Sequence, residues 1–427
     1  MNSYYSCTRY NSYSKKRKFV HEEIEQEQTL KSCIVRRNSK SSSSIQSYSS
    51  YQRQKHTKQK SRTHHSYRKW SYSDYDSSAG GDKLVLVSYN VLGVENASRH
   101  PDLYYNVPLK YLNWDHRKLA IYKELAQYDP SIVCFQEVDR FNDLHDALKQ
   151  DGFEGILKAR TGDAQDGCAI FWKHKRFKLM HEESIEFQSF GLRNNVAQFC
   201  VLKMNDDGLN SDRQMSNPTT LLVGNIHVLF NPNRGDIKLG QVRLFLERAH
   251  ILSKKWGGIP IVLAGDFNSV PQSAVYQYIS SAKLHILEHD RKRVSQKMPL
   301  YHTCYTKSPF RRKSFTCRWR DEEVKLATGN EKATCLQHNL NLRSAYVGVP
   351  GNVTLRDNMG EPLTTSCHSK FMGTVDYIWH TEQLVPVRVL ETISGNALDK
   401  MGGLPSKNWG SDHVALACEF AFANREA

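Results

Sequence analysis

A chain of 427 residues with a formal net charge of +15 has room for one large domain or two to three smaller ones, and its basic balance points to a polyanionic partner such as nucleic acid. No apolar stretch approaches membrane-spanning length and the N-terminus lacks a signal-peptide core, so a membrane protein is excluded and a soluble, intracellular one is expected. The ten cysteines include no Cys-x-x-Cys, and Cys304, Cys317 and Cys335 fit no tight ligand pair, so buried free thiols in a reducing compartment are expected rather than zinc.

Residues 1–78 read as a disordered basic tail rich in Ser and Tyr. Residues 1–80 carry 16 Lys/Arg against 6 Asp/Glu, a balance of +10, and the remainder of the chain keeps only about +5. The run at 39–50 is low in complexity and cannot bury enough apolar surface to fold alone. Lys15-Lys16-Arg17-Lys18 has the composition of a nuclear import signal or of a plain solvated basic patch. Nucleus and cytoplasm are the expected locations.

Order is expected to begin near Lys83, in one catalytic domain over 79–427. Strand-like runs fall at 84–90, 131–138, 167–173, 195–203, 219–229, 260–266, 374–380 and 413–421. The spacing predicts a helix over 114–128, with Leu119, Tyr122, Leu125 and Ala126 on one face. A second helix, over 236–255, puts Leu239, Val242, Leu246, Ala249 and Leu252 together. Helices between early strands and consecutive strands later suit an α/β fold of two packed sheets with helices outside. Residues 204–218 read as a polar hairpin loop, and 286–335 as a long basic irregular segment.

Short polar signatures end nearly all these apolar runs: Ser88-Tyr89-Asn90, Gln136-Glu137-Val138, Asn225-Ile226-His227, Gly265-Asp266-Phe267-Asn268-Ser269, Thr374-Val375-Asp376-Tyr377 and Ser411-Asp412-His413. Strands that deliver Asn, Glu, His and Asp to one rim build a carboxylate-rich pocket suited to a hard divalent cation and a phosphate ester. Glu137 is the expected metal ligand, with Asn90 beside it. Period two puts Asp266 and Asn268 on one face, Asp266 to activate water and Asn268 to hold a phosphate oxygen. A simple turn closing the strand is the other reading of that stretch. His227 could donate to the charge that develops on phosphorus. Asp376, an acid in an apolar strand, needs a partner, and pairing with His413 would make a general base.

The joint order of these motifs resembles the endonuclease/exonuclease/phosphatase superfamily over residues 83–423. Ser88–Leu92, Gln136–Val138 and Gly265–Ser269 look like the carbon-catabolite-repressor-4-type deadenylases and their relatives nocturnin and Angel. Asn231–Leu239 and Thr365–Ser369 look most like Angel. The resemblance implies a two-sheet α/β sandwich that hydrolyses phosphoesters with Mg²⁺, Mn²⁺ being an alternative ion. It implies that Glu137 ligates the metal near Asn90, and that His227, Asp266, Asn268, Asp376 and His413 surround the scissile phosphate. In the deadenylases a Phe and a Pro sandwich an adenine. Phe371 and Pro232 hold those places here, with Asn231 alongside as a substrate-binding residue. Yeast- and animal-type deadenylases dock onto a scaffold complex through a leucine-rich repeat. This chain shows a basic tail there and no regular leucine repeat, so the resemblance leaves a deadenylase scaffold complex as an open partner.

The expected activity is a Mg²⁺-dependent 3′-exoribonuclease on poly(A) tails of mRNA. One alternative is an Angel-like phosphatase opening 2′,3′-cyclic phosphates at RNA ends. The other, from a different class, is an inactive RNA-binding protein. The basic tail is expected to attract RNA in either case.

Overall fold

Alternation along the central strands sets the architecture. In Lys83–Asn90 (β2) and Ile132–Gln136 (β3), one set of side chains, Leu84, Leu86, Ile132 and Cys134, enters a core shared with Cys200, Val223, Val262 and Ala264. The opposite set, Val85, Val87, Val133 and Phe135, packs on Ile121, Leu125 and Tyr128 of the helix Trp114–Tyr128. Strands buried on both faces read as continuous apolar runs, and such strands lie at the centre of a layered fold.

The computed structural model describes residues 68–75, 82–205, 220–297 and 318–423, and Ser66–Ala427 form one compact unit. Among the described residues, one large sheet runs β1-β16-β17-β2-β3-β5-β4. Here β1 is Trp70–Tyr72, β4 Phe153–Ala159, β5 Gly167–Lys173, β16 Leu384–Leu390 and β17 Leu416–Phe422. The facing sheet runs β12-β15-β9-β8-β7-β6. In it β6 is Phe177–Glu186, β7 Val196–Met204, β8 Thr220–His227, β9 Ile261–Asp266, β12 Arg343–Ser344 and β15 Asp376–His380. Its outer face packs Leu222, Ile226 and Leu263 on Val242, Phe245 and Ala249 of the helix Gly235–Lys255. Two short antiparallel pairs, Lys283–His285 with Cys335–Gln337 (β10, β11) and the hairpin Ser366–His368 with Phe371–Gly373 (β13, β14), complete the strands. The expected α/β two-sheet sandwich is the observed fold.

Some expectations change. The boundary expected at 78 falls inside the folded unit, because Trp70–Tyr72 pairs with Leu390–Arg388 of β16. Arg68, buried beside it, donates to Glu124 Oε1 at 3.1 Å and to the Ala415 carbonyl at 2.6 Å. A three-residue strand is too short to show a period against a Ser/Tyr-rich background.

The face expected for the helix Trp114–Tyr128 holds only at Leu125: Leu119 and Ala126 are exposed and Tyr122 is half-buried, while Arg117, Ala120, Ile121, Glu124 and Tyr128 join Leu125 on the buried side. Two buried charges on that face hid it: Glu124 pairs with Arg68, and Arg117 donates to the Val91 and Leu92 carbonyls. Segment 286–335 is not wholly irregular, since Asp321–Thr328 is a helix. The basic run Lys15–Lys18, most of the 204–218 loop, Arg311–Lys313, Cys304 and Cys317 lie outside the described residues. No helix among the described residues is long and apolar enough to cross a membrane.

Candidate active site

Strand register brings the signatures together. β8 and β9 run parallel with His227 opposite Asp266, and β15 pairs antiparallel to β9 with Asp376 opposite Asp266. His227, Asp266 and Asp376 therefore form one row across three strands. In the other sheet, parallel β2 and β3 put Asn90 beside Gln136, one residue before Glu137. The two sheets meet at this rim. Asn90 Nδ2 donates to Glu137 Oε1 at 3.0 Å and to Asp266 Oδ2 at 3.1 Å, so one amide bridges both carboxylates.

The backbone is shaped for these contacts. Glu137 has φ 58° and Asn268 φ 47°, both left-handed. That conformation costs roughly 1–2 kcal/mol for an L-residue and is concentrated at functional sites. Glu137 Oε2 accepts from the Gly93 N–H at 3.1 Å and from Asn96 Nδ2 at 2.8 Å. Gly265 is required where β9 closes on β8, since a Cβ there would lie 2.0 Å from the Ile226 carbonyl oxygen. β9 ends at Asp266, whose Oδ1 accepts the Asn268 N–H at 2.8 Å. Asn268 thus reaches the site through a turn and not through strand alternation, which corrects the period-two reading. Its Nδ2 lies 3.2 Å from His227 Nε2.

His413 Nδ1 lies 2.8 Å from Asp376 Oδ2, so the expected pair is formed. Its Nε2 lies 3.8 Å from Asp266 Oδ2, and His227 Nε2 lies 3.5 Å from the same oxygen. Burial opposes charge on His413, yet Asp376, Asp412 and Asp266 outweigh it and raise its pKa to about 10. Burial likewise pushes Asp266 up, but His227, His413 and Lys297 hold it below the usual carboxylate range. Glu137 is held low in the same way, by His227 with Asn90 and Asn96 against burial.

Other members of the signatures are supports. Gln136 Nε2 donates to Asn225 Oδ1 at 2.8 Å, and Asn225 Nδ2 donates to the Phe135 and Ala169 carbonyls, pinning one sheet to the other beneath the site. Ser411 Oγ donates to the Asn90 carbonyl at 2.6 Å and accepts the His413 N–H. Asp412 accepts from Tyr104 Oη at 2.9 Å, while Asp376 is the carboxylate hydrogen-bonded to the His413 ring. Lys238, fully buried, donates to the Leu229 and Asn268 carbonyls and holds the two loops that follow β8 and β9.

The substrate-binding residues fall differently. Asn231 is exposed and caps its own turn, accepting from the Asn233 N–H; neither it nor Pro232 lines the cleft. Phe371 is buried and does not line the cleft, whereas Phe230, 50% exposed, does, as does Tyr104. Between them stands Lys297, its Nζ 4.4 Å from the Phe230 ring centre, 4.8 Å from that of Phe371, and 2.7 Å from Asn268 Oδ1. Sequence reasoning missed Lys297, Phe230, Tyr104 and His368. None sits in a periodic apolar run, and although His368 falls within the Thr365–Ser369 stretch, its spacing alone does not single it out.

The donor set fits a hard divalent cation, since Glu137 and Asp266 present carboxylate oxygens around a single amide. Asn90, expected as a ligand, presents its nitrogen there, because its oxygen accepts the Leu92 N–H at 3.0 Å. Asp266, Asp376 and His413 also offer atoms within 4.8 Å of one another. The Asp376–His413 bond already occupies Nδ1, which makes that group a proton pair first.

This chain is similar to known proteins over most of its length. Carbon catabolite repressor protein 4 homolog 5 of Arabidopsis thaliana is 54% identical over 389 residues, covering 88% of this chain and 86% of that protein. Protein angel homolog 2 of Danio rerio is 30% identical over 374 residues, covering 78% and 63%. The crystal structure of ANGEL2, a 2′,3′-cyclic phosphatase, in complex with adenosine-2′,3′-vanadate is 28% identical with a TM-score of 0.67, over 83% of this chain and 98% of that one. The human nocturnin catalytic domain, 21% identical with a TM-score of 0.51, shares the fold. Residues 87–413 match the model of the Endonuclease/Exonuclease/phosphatase family, and the chain belongs to that family.

Proposed function

We propose that this chain is a metal-dependent 3′-exoribonuclease that shortens RNA, poly(A) tails foremost. The observation that carries the hydrolytic reading is the row His227–Asp266–Asp376 closed by His413 and faced by Glu137. The RNA and poly(A) part rests on the similarity to proteins named carbon catabolite repressor protein 4 homologs. Glu137, with Asp266 beside it, would hold a divalent cation, Mg²⁺ or Mn²⁺, which would supply positive charge to the phosphoryl oxygens, leaving Asp266 for the water.

The protein groups divide the remaining work. Asp266, kept as a carboxylate, orients the attacking water and takes its proton. Asp376, Asp412 and Asp266 favour the charged form of His413, which suits a donor to the phosphoryl oxygens better than the base that the His–Asp pairing suggested. His227 and the Asn268 amide donate from the other side.

A second reading is supported by the ANGEL2 structure: opening of terminal 2′,3′-cyclic phosphates. Both reactions bring water to a phosphodiester at an RNA 3′ end. Incubation with labelled poly(A), a mixed-sequence RNA and a cyclic-phosphate-ended RNA, each with Mg²⁺ or with EDTA, separates them. Stepwise shortening of poly(A) that stops in EDTA supports the exonuclease. Loss of the cyclic end without shortening supports the phosphatase, and RNA retention without turnover would leave a binding protein.

A further inference from the structure

A second cavity adjoins the catalytic cleft. Leu103 and His368 line both, so the two share a wall. Tyr105, Asn106, Met372, Asp399 and Leu404 form much of the remainder. Tyr105 is 66% exposed although aromatic side chains usually bury most of their surface. An exposed ring beside an apolar floor of Met372 and Leu404 is a stacking platform. Asn106 and Asp399, both exposed, put an amide and a carboxylate at its edge, where the amino and imino groups of a base can be met.

The shared wall has its own polarity. His368 Nδ1 accepts the Lys370 N–H at 3.3 Å, which places the ring proton on Nε2. Burial, reinforced by Lys297, pushes the His368 pKa down to about 3, so the ring is a neutral donor at working pH. A neutral N–H donor between two cavities suits the sugar–phosphate linkage joining one nucleotide to the next.

We propose that this cavity holds the base of the nucleotide adjacent to the one being hydrolysed, stacked on Tyr105, with His368 donating to the linkage between them. The proposal rests on the reading that the cleft takes an RNA end. It gives the protein a grip on RNA that a single nucleotide does not use. Stacking tolerates every base, so the grip follows the strand without reading a code.

Titration calorimetry with two unreactive probes in Mg²⁺ tests it: adenosine 5′-monophosphate and the phosphorothioate-linked dinucleotide of adenosine. Wild type should bind the dinucleotide roughly ten- to a hundredfold more tightly than the mononucleotide. Tyr105→Ala should abolish that gain and leave mononucleotide affinity unchanged, while Tyr105→Phe should keep it. Tyr105 is exposed, so an unchanged thermal midpoint is expected for both variants. The subsite is overturned if wild type binds both probes equally, or if Tyr105→Ala weakens both alike. RNA turnover in the absence of any dinucleotide gain would sink the subsite alone. Absence of turnover on every RNA would sink the reading of the cleft and the subsite with it.

Discussion

Replacing Asp376 with Asn should strip His413 of its charge. Asn keeps the size and still accepts the Nδ1–H, but removes the carboxylate that lies 2.8 Å from the ring. Burial already works against the imidazolium, and the acidic neighbours led by Asp376 outweigh it to hold the pKa at about 10 against an ordinary 6.5. At about 1.4 kcal/mol per tenfold change in proton affinity, that difference is on the order of 5 kcal/mol. The sign follows from linkage. A group whose pKa is raised by folding stabilises the fold fully below its unfolded pKa and loses that contribution as pH rises through the folded one. Wild type should therefore lose stability between about pH 6.5 and 10, and Asp376→Asn should lack that component. The assay is an NMR titration of the His413 ring, assigned with His413→Gln, alongside thermal midpoints at the two ends of the window. Turnover of Asp376→Asn at neutral pH should fall by about 10²-fold or more, since the donor is then neutral. A wild-type His413 that titrates near 6.5, or an unchanged titration in Asp376→Asn, would refute the reasoning.

Four other expectations can be checked directly. Glu137→Gln keeps the side-chain volume and loses the charge, so turnover should vanish with the thermal midpoint nearly unchanged; normal Mg²⁺-driven turnover would remove Glu137 from the metal site. Lys297→Met should lower kcat/KM by roughly ten- to a hundredfold, because the charged hydrogen bond that orients Asn268 is worth about 1.5–3 kcal/mol; unchanged kinetics would make Lys297 a bystander. Glu361, buried and pushed up to about 7, should favour the fold while protonated, so stability should fall as pH rises from about 4.5 through 7, and Glu361→Gln should flatten that slope in pH-resolved melting. Removing residues 1–65 should leave the melting temperature in place, whereas removing 1–78 takes away β1 and Arg68 and strands Glu124; loss of a buried pair costs about 3–5 kcal/mol, and equal melting of the two truncations would contradict the Arg68 tether.

Much of the site was legible because it sits where strands end. Glu137, His227 and Asp266 each close or follow an apolar run, and Asp376 opens one. A strand buried on both faces announces itself locally, and a polar residue at its tip stands out. The edge strands β4 and β6 went unseen, because solvent on one side replaces their apolar residues with Glu, Lys and His. The helix Gly235–Lys255 was plain from its apolar spacing, and the face of Trp114–Tyr128 was not, since Arg117 and Glu124 occupy it.

The amino-acid order therefore determined which strands and long helices exist and which polar residues tip them, because periodicity and burial act within a few residues of each other. The folded chain decided everything that depends on meeting across it. Only register makes Asp376 the neighbour of Asp266 and the partner of His413. Only the packing of sheet on sheet turns Gln136 and Asn225 into a pin beneath the site. Only the return of a distant loop sets Lys297 between Phe230 and Phe371, where the spacing of Pro232 had suggested a different wall. Charges and aromatic faces act over a few ångströms of space, and sequence separation carries no measure of that distance.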